Sequence, residues 1–163
     1  VALELFRVDD RLIHGQVVVG WGQPCQLGFL VLVDNAVVNS EWEQELYRMG
    51  APPEMDLYFD SVESAALRFA DYRADTRNGL LLTGDVATMA ALQAKVPQLQ
   101  VVTIGGLHHK EGRTARLRYV FLTPSEEEEL RALAARGVTV VAQDLPNAPA
   151  VSLEHVLAGD GTG

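Results

Sequence analysis

The sequence predicts a single α/β domain built on an open, mostly parallel sheet of about six or seven strands with helices on both faces. Three observations predict it. Short apolar runs such as GFLVLVD at 28–34 are continuous rather than alternating, which marks strands buried on both faces. These runs alternate with helical patterns along nearly all of the 163 residues. No shift in composition, long linker or internal repeat divides the chain.

Taken in order, residues 2–8 are the first expected strand and 15–26 a helix ending around Pro24. The strand at 28–34 follows, then a helix over 40–49 with Ser40 and Glu43 at capping-box spacing. Pro52-Pro53 breaks the chain before a strand at 55–59. Residues 61–70 are helical, and Asn78-Gly79 turns the chain into a strand at 80–83. Asp85 opens a helix that runs to Lys95 and is stopped by Pro97. A fifth strand at 100–105 and a short sixth at 117–122 are expected next. Ser125, with Glu128 three residues on, is read as the cap of an acidic helix to Arg136, which Gly137 ends. Residues 138–144 are the last expected strand. The domain is taken as 1–158, and the small, polar stretch 159–163 as a disordered tail.

Composition narrows the function. A 48% hydrophobic chain of this length buries a real core, and 21% charged residues argue against disorder. The net charge of −9 argues against duplex nucleic acid as a partner, because phosphate backbones need a basic face. Cys25 is the only cysteine, so a disulfide framework and a thiolate metal cage are both excluded and a reducing compartment is expected. The apolar runs fall far short of the about 20 residues that cross a bilayer, and the first residues carry no signal-peptide pattern.

In parallel sheets ligands bind outside the carboxyl ends of the strands. Those ends carry Asp9-Asp10-Arg11, Asp34-Asn35, Asp60-Ser61, Thr83-Gly84-Asp85 and Gly105-Gly106. The first of them sits in the densest constellation of the chain, RVDDRLIHGQV at 7–17. Arg7 closes the strand, two carboxylates follow, Arg11 precedes His14 by three residues, and Gly15 opens a helix. Helix N-termini favour anions, and a guanidinium offers a planar fork suited to phosphate oxygens. A neutral imidazole there keeps a lone pair able to attack phosphorus, provided its other nitrogen is held. Gln16, the backbone, Asp9 or Asp10 are the available holders. Spacing alone favours a plainer reading, with His14 a surface or helix-cap histidine and Arg11 paired to Asp10.

The same string closely resembles the active-site signature of mannose/sorbose-family IIB components of the phosphotransferase system (PTS), Arg-x-Asp-Asp-Arg-Leu-Ile-His-Gly-Gln-Val. Supporting similarities run through roughly residues 3–153. They include Trp21, DNAVVNS at 34–40, MGAP at 49–52, SVESAA at 61–66, TIGG at 103–106, and Arg136-Gly137-Val138 with Pro146. The resemblance implies a cytoplasmic phosphoryl carrier, a protein-Nπ-phosphohistidine–sugar phosphotransferase. It would accept phosphate from a IIA protein or domain on His14, at Nδ1, and pass it to a sugar held by membrane IIC/IID subunits. Those subunits would hold it at the inner face of the plasma membrane. Arg11 carries over as the phosphate contact, with Arg7, Asp10, Gly15, Gln16, Gly106 and His108 in supporting places. No cofactor and no metal are implied, and the oligomeric state is left open, a homodimer being one option. Asn35, Val38 and Thr103 depart from the family pattern at positions that bear on specificity. A regulatory IIB-like relay without sugar uptake would carry the same string.

The remaining features have simpler readings. His108-His109 lies in GGLHHKEGR at 105–113, where adjacent histidines rarely face one metal; a supporting loop beside the site or a solvated mobile loop fits better. Lys110 and Arg113 would add positive charge to that loop. Glu126 to Glu129 offsets a helix dipole, and Trp21 and Trp42 are read as packing residues. A signalling receiver is the rival class. Asp9 and Asp10 would hold Mg²⁺, Asp60 would accept phosphate, and Thr83 and Lys110 would contact it. The chain lacks a Pro after Lys110 and a Met-Pro turn after Asp60. A Rossmann-type nucleotide site is weaker, since no Gly-x-Gly-x-x-Gly follows the first strand.

Overall fold

The computed structural model describes residues 3–162, with the side chain of Gln16 outside the described set. Ala2 of the expected first strand and Gly163 of the expected tail lie outside it as well. In chain order the elements are β1 (Leu3–Val8), α1 (Gly15–Gly22), β2 (Leu27–Val33), α2 (Glu41–Gly50), β3 (Asp56–Asp60), α3 (Val62–Ala74), β4 (Asn78–Thr83) and α4 (Val86–Lys95). They continue with β5 (Val101–Ile104), β6 (Thr114–Leu117), β7 (Val120–Leu122), α5 (Pro124–Ala135), β8 (Thr139–Ala142), β9 (Val151–Ser152) and α6 (Leu153–Leu157). Seven strands make one sheet in the order β3-β2-β4-β1-β5-β8-β9. All of its pairings are parallel except β8 with β9. The open, mostly parallel sheet expected from the apolar runs is therefore the architecture found.

The continuous apolar runs split by alternation between two cores. On β2, Phe29, Val31 and Val33 join side chains of α3, α4 and α5. Leu30 and Leu32 face the other way, to Val17, Val18 and Trp21 of α1 and to Met55. Along β2 successive side chains are thus buried on one face or the other, which is why that strand shows no polar face to read.

This order fixes where a site can form. From β1 the chain crosses to β2 on one side, and from β5 it passes to β8 on the other. The loops after β1 and β5 therefore diverge above adjacent strands, leaving the crevice where open α/β sheets bind ligands.

Local signals set several boundaries differently from expectation. Ser40 precedes α2 without a side-chain capping bond, and a 3-10 turn over Val37–Asn39 leads into it. The acidic helix is capped by Thr123, not Ser125, with Glu126 completing the capping box and Pro124 inside the first turn. Proline's fixed φ suits that position, so the helix starts two residues sooner than the Ser-x-x-Glu spacing suggested. Gly137 does end it, at φ +91°. The expected single strand at 117–122 is the second half of an antiparallel β6–β7 hairpin. Residues 159–161 hydrogen-bond to Arg116, through its Nη1 to the Gly159 carbonyl and its carbonyl from Gly161 N–H.

Candidate functional site

Above β1 and β5 the central group is Asp9, fully buried. Its Oδ1 accepts from the Arg11 backbone N–H at 3.1 Å and Arg11 Nε at 2.8 Å. Its Oδ2 accepts from Arg11 Nη2 at 2.7 Å, Arg7 Nη2 at 3.2 Å and Gly106 N–H at 3.1 Å. Arg11 therefore pairs with Asp9 as a two-toothed fork, and the expected partner Asp10 is engaged elsewhere. Burial alone pushes the Asp9 carboxyl up, but the Arg11 hydrogen bond and the charges of Arg7 and Arg11 outweigh it and hold it below the usual carboxylate range. The Asp9 hydrogen bond, opposed by partial burial, raises Arg11.

Arg7 is only 1% exposed and spans to the far end of the chain. Its Nη1 donates to the Gln143 carbonyl at 2.7 Å and its Nη2 to the Asp144 carbonyl at 3.0 Å. The guanidinium lies 4.6 Å from the centre of the Trp21 ring, whose Nε1 donates to the same Asp144 carbonyl at 3.1 Å. Burial lowers its pKa against the opposing pull of Asp9. So deep a guanidinium orders the loop from beneath.

The double glycine exists for these arginines. A Cβ at Gly105 would run into the Arg7 guanidinium, with Cζ at 2.5 Å, and would come within 2.6 Å of Asp9 Oδ2. At Gly106 it would meet Arg11 Nε at 3.0 Å. An absent side chain at Gly105 lets Arg7 pass over β5, and at Gly106 it spares Arg11 a tight contact.

Between Arg11 and α1 the chain turns through Leu12, whose φ of +58° is rare for a branched residue and is the kind of strain held at functional loops. Leu12 N–H donates to the Asp9 carbonyl, and His14 N–H to the Leu12 carbonyl. The His14 carbonyl then accepts from Val18 N–H at 2.8 Å, the first bond of α1, so His14 stands exposed at the head of that helix. A Cβ at Gly15 would meet no atom of the described residues within 4 Å. The Gln16 side chain, an expected supporter, is outside the described residues.

Asp10 is held by the β5–β6 loop. Its Oδ1 lies 2.6 Å from His108 Nδ1 and its Oδ2 accepts from His108 N–H at 2.8 Å. Because an ionised carboxylate only accepts, Nδ1 of His108 carries the proton in this pair. Arg113, which sequence reasoning took as loose positive charge, is instead buried and paired. Its Nη1 donates to the His108 carbonyl at 2.7 Å and to Asp10 Oδ2 at 3.3 Å, and Nε and Nη2 grip Glu126 at 3.1 and 2.8 Å. Its burial favours the neutral form, yet Glu126 and Asp10 outweigh that and raise its pKa. His109 faces away, edge-on to Phe121.

The structure thus joins Arg7, Arg11 and Gly106 through Asp9, and Asp10 to His108, with His14 further along the loop that carries Asp10 and Arg11. Arg113 and the 143–144 backbone complete the network. Asp60 is apart from this cluster: only 1% exposed, it accepts from Tyr72 Oη at 2.5 Å and Ser64 Oγ at 2.9 Å, with Arg68 at 3.4 Å. Asn35 Oδ1 accepts from Val62 N–H, joining the loop after β2 to the start of α3. Among the described residues no helix is long and apolar enough to cross a membrane.

Residues 3–162 match the family model described as PTS system sorbose subfamily IIB component. The chain is 30% identical over 145 residues to the N-acetylgalactosamine-specific phosphotransferase enzyme IIB component 1 of Escherichia coli, covering 87% of this chain and 90% of the relative. It is 26% identical over 151 residues to the sorbose-specific EIIB component of Klebsiella pneumoniae, covering 93% and 92%. The crystal structure of the IIBSor domain of the K. pneumoniae sorbose permease superposes with a TM-score of 0.86 at 25% identity, over 97% of this chain and 98% of that one.

Proposed function

Since the chain belongs to the PTS sorbose subfamily of IIB components, we propose that it carries the phosphoryl group on His14, with Arg11 as the phosphate contact. Such a component works between a IIA donor and IIC/IID subunits, and the proposal places His14 at the handover. The observation that supports it is the placement of His14, exposed at the head of α1 on the loop that Asp9 fixes through Arg11.

A ring nitrogen of His14 attacks the phosphorus of phospho-IIA; the new N–P bond forms as the donor's bond to phosphorus breaks. A sugar hydroxyl then attacks the same phosphorus, the N–P bond breaks, and the hydroxyl proton leaves to solvent or a base on the sugar-binding subunit. Little covalent machinery is needed beyond positioning and charge neutralisation. The backbone N–H groups of the first turn of α1 and the Arg11 guanidinium neutralise the phosphoryl oxygens. Asp9, Arg7 and Gly106 hold Arg11 in place, and Asp10 and His108 shape the opposite wall. The protein then acts as a protein-Nπ-phosphohistidine–sugar phosphotransferase in the cytoplasm, tethered to the membrane only through IIC/IID.

The receiver reading loses its acceptor, because the Asp60 oxygens are sealed by Tyr72 and Ser64, and its metal pair, because Asp9 is locked by two arginines. The test uses isolated phospho-IIA with excess EDTA. The expected label sits on His14, survives base and is lost in acid, and His14→Ala takes none. Label on Asp60 or His108, or strict Mg²⁺ dependence with a base-labile product, would overturn the assignment.

A further inference from the structure

A largely buried charge network outside Asp9 ends on a residue with no part in the mechanism above. Arg113 has 3% of its side chain exposed, yet it lies on a loop whose neighbours from His108 to Gly112 are all exposed. Its guanidinium joins three segments. One edge is held by Glu126, which is itself fixed: Glu126 Oε1 accepts from Thr123 N–H at 2.8 Å, and its own N–H donates to Thr123 Oγ1. The other edge holds the His108 carbonyl and the Asp10 carboxylate, and Asp10 in turn holds the His108 backbone N–H and ring Nδ1. The result is a closed ring of Arg113, His108 and Asp10 bolted to the head of α5.

We infer that Arg113 is a positioning residue for phosphoryl transfer, acting through Asp10 to fix the His108 imidazole against the loop that carries Arg11 and His14. This deepens the reading above and rests on it. With Nδ1 donated to Asp10, the ring presents Nε2 outward from a side chain that is 59% exposed. An imidazole on a mobile loop would sample many directions; this one is held at its ring and at both flanking backbone groups. Asp10 directly precedes Arg11, and Gly106 packs against Arg11, so the ring and the phosphate contact share one rigid support. A Lys at 113 would keep the charge but lose the fork that holds two carboxylates and a carbonyl together.

The test is single-turnover transfer from phospho-IIA to wild type, Arg113→Gln, Arg113→Lys, His108→Gln and the Arg113→Gln/His108→Gln double variant. Arg113→Gln should slow the saturating rate about tenfold, the loss expected for a charge-assisted contact removed from a site. The phospho-IIA concentration for half-saturation should stay unchanged, and Arg113→Lys should recover part of the rate. The double variant should be no slower than Arg113→Gln alone, and the hydrogen-bonded Nδ1–H signal of His108 should vanish from the imidazole NMR spectrum of Arg113→Gln. Should Arg113→Gln not fold, Arg113→Lys with and without His108→Gln supplies the same cycle. Wild type labelled on His14 with Arg113 variants transferring at its rate overturns the role of Arg113 alone, as does a double variant whose losses multiply. Wild type that takes no phosphate on His14 overturns this role together with the reading it rests on.

Discussion

Replacing Asp9 by Asn keeps the side chain's shape and removes its charge from a point where two guanidinium groups converge. The five donors on Asp9 divide two to Oδ1 and three to Oδ2. An amide keeps one oxygen and turns an NH₂ toward the donors of the other, so at least two hydrogen bonds are lost and Arg7 keeps a buried, uncompensated charge. Charge-assisted bonds are each worth about 1.5–3 kcal/mol, and breaking one partner of a buried pair costs about 3–5 kcal/mol. We expect the total near that second range. At an m-value of about 2 kcal/mol per molar for urea, the unfolding midpoint should fall by about 1.5–2.5 M with m unchanged. The pH dependence supplies a second reading. The folded Asp9 pKa lies below its ordinary value of 3.8, so its stabilisation is present above about pH 4 and is lost as the pH falls through the folded value. Wild type should therefore lose stability on that acid limb, and Asp9→Asn should lose correspondingly less. A midpoint shift under about 0.5 M, or an acid limb identical in the two proteins, would refute the view that Asp9 is the hub of the site.

Arg11→Lys keeps a charge but cannot supply both Nε and Nη2 to Asp9, and should slow transfer from phospho-IIA about 10- to 100-fold in single-turnover assays. Gly105→Ala should destabilise by about 2 kcal/mol or more, because the atoms its Cβ meets are pinned by Asp9 and the Asp144 carbonyl. Gly106→Ala, whose nearest atom is at 3.0 Å on a less buried arginine, should cost less in thermal unfolding and more in transfer rate.

Most of the fold was legible because burial on both faces leaves a continuous apolar signature, and strands such as Leu27–Val33 carry it plainly. The losses came where that signature is short or the turn chemistry is missing. β9 is two residues long, beside Pro146 and Pro149, and the β6–β7 turn at Arg118-Tyr119 has no glycine or asparagine to announce it. The site divides the same way. The spacing from Arg7 to His14 is local and could be read, but the pairing of its charges could not. Arg11 chose Asp9 over Asp10 because Asp9 points inward above Gly106, whereas Asp10 meets a loop about a hundred residues later. Main-chain acceptors such as those of Gln143 and Asp144 leave no trace in residue type at all.

The span of the Arg7 contacts has a consequence for how the molecule is made. Arg7 and the Gln143 carbonyl are separated by 136 positions, and β1 also waits for β4 and β5 before it has neighbours. At about 5–20 residues per second, roughly 7 to 27 seconds of synthesis lie between the guanidinium and the Gln143 carbonyl. During that interval the strand destined for the middle of the sheet is an apolar segment without a sheet, and the histidine behind it sits on a loop not yet built. Long-range closure of this kind is slow to nucleate. A ribosome-bound or truncated chain that stops before residue 143 therefore displays the whole RVDDRLIHGQV string without the support beneath it.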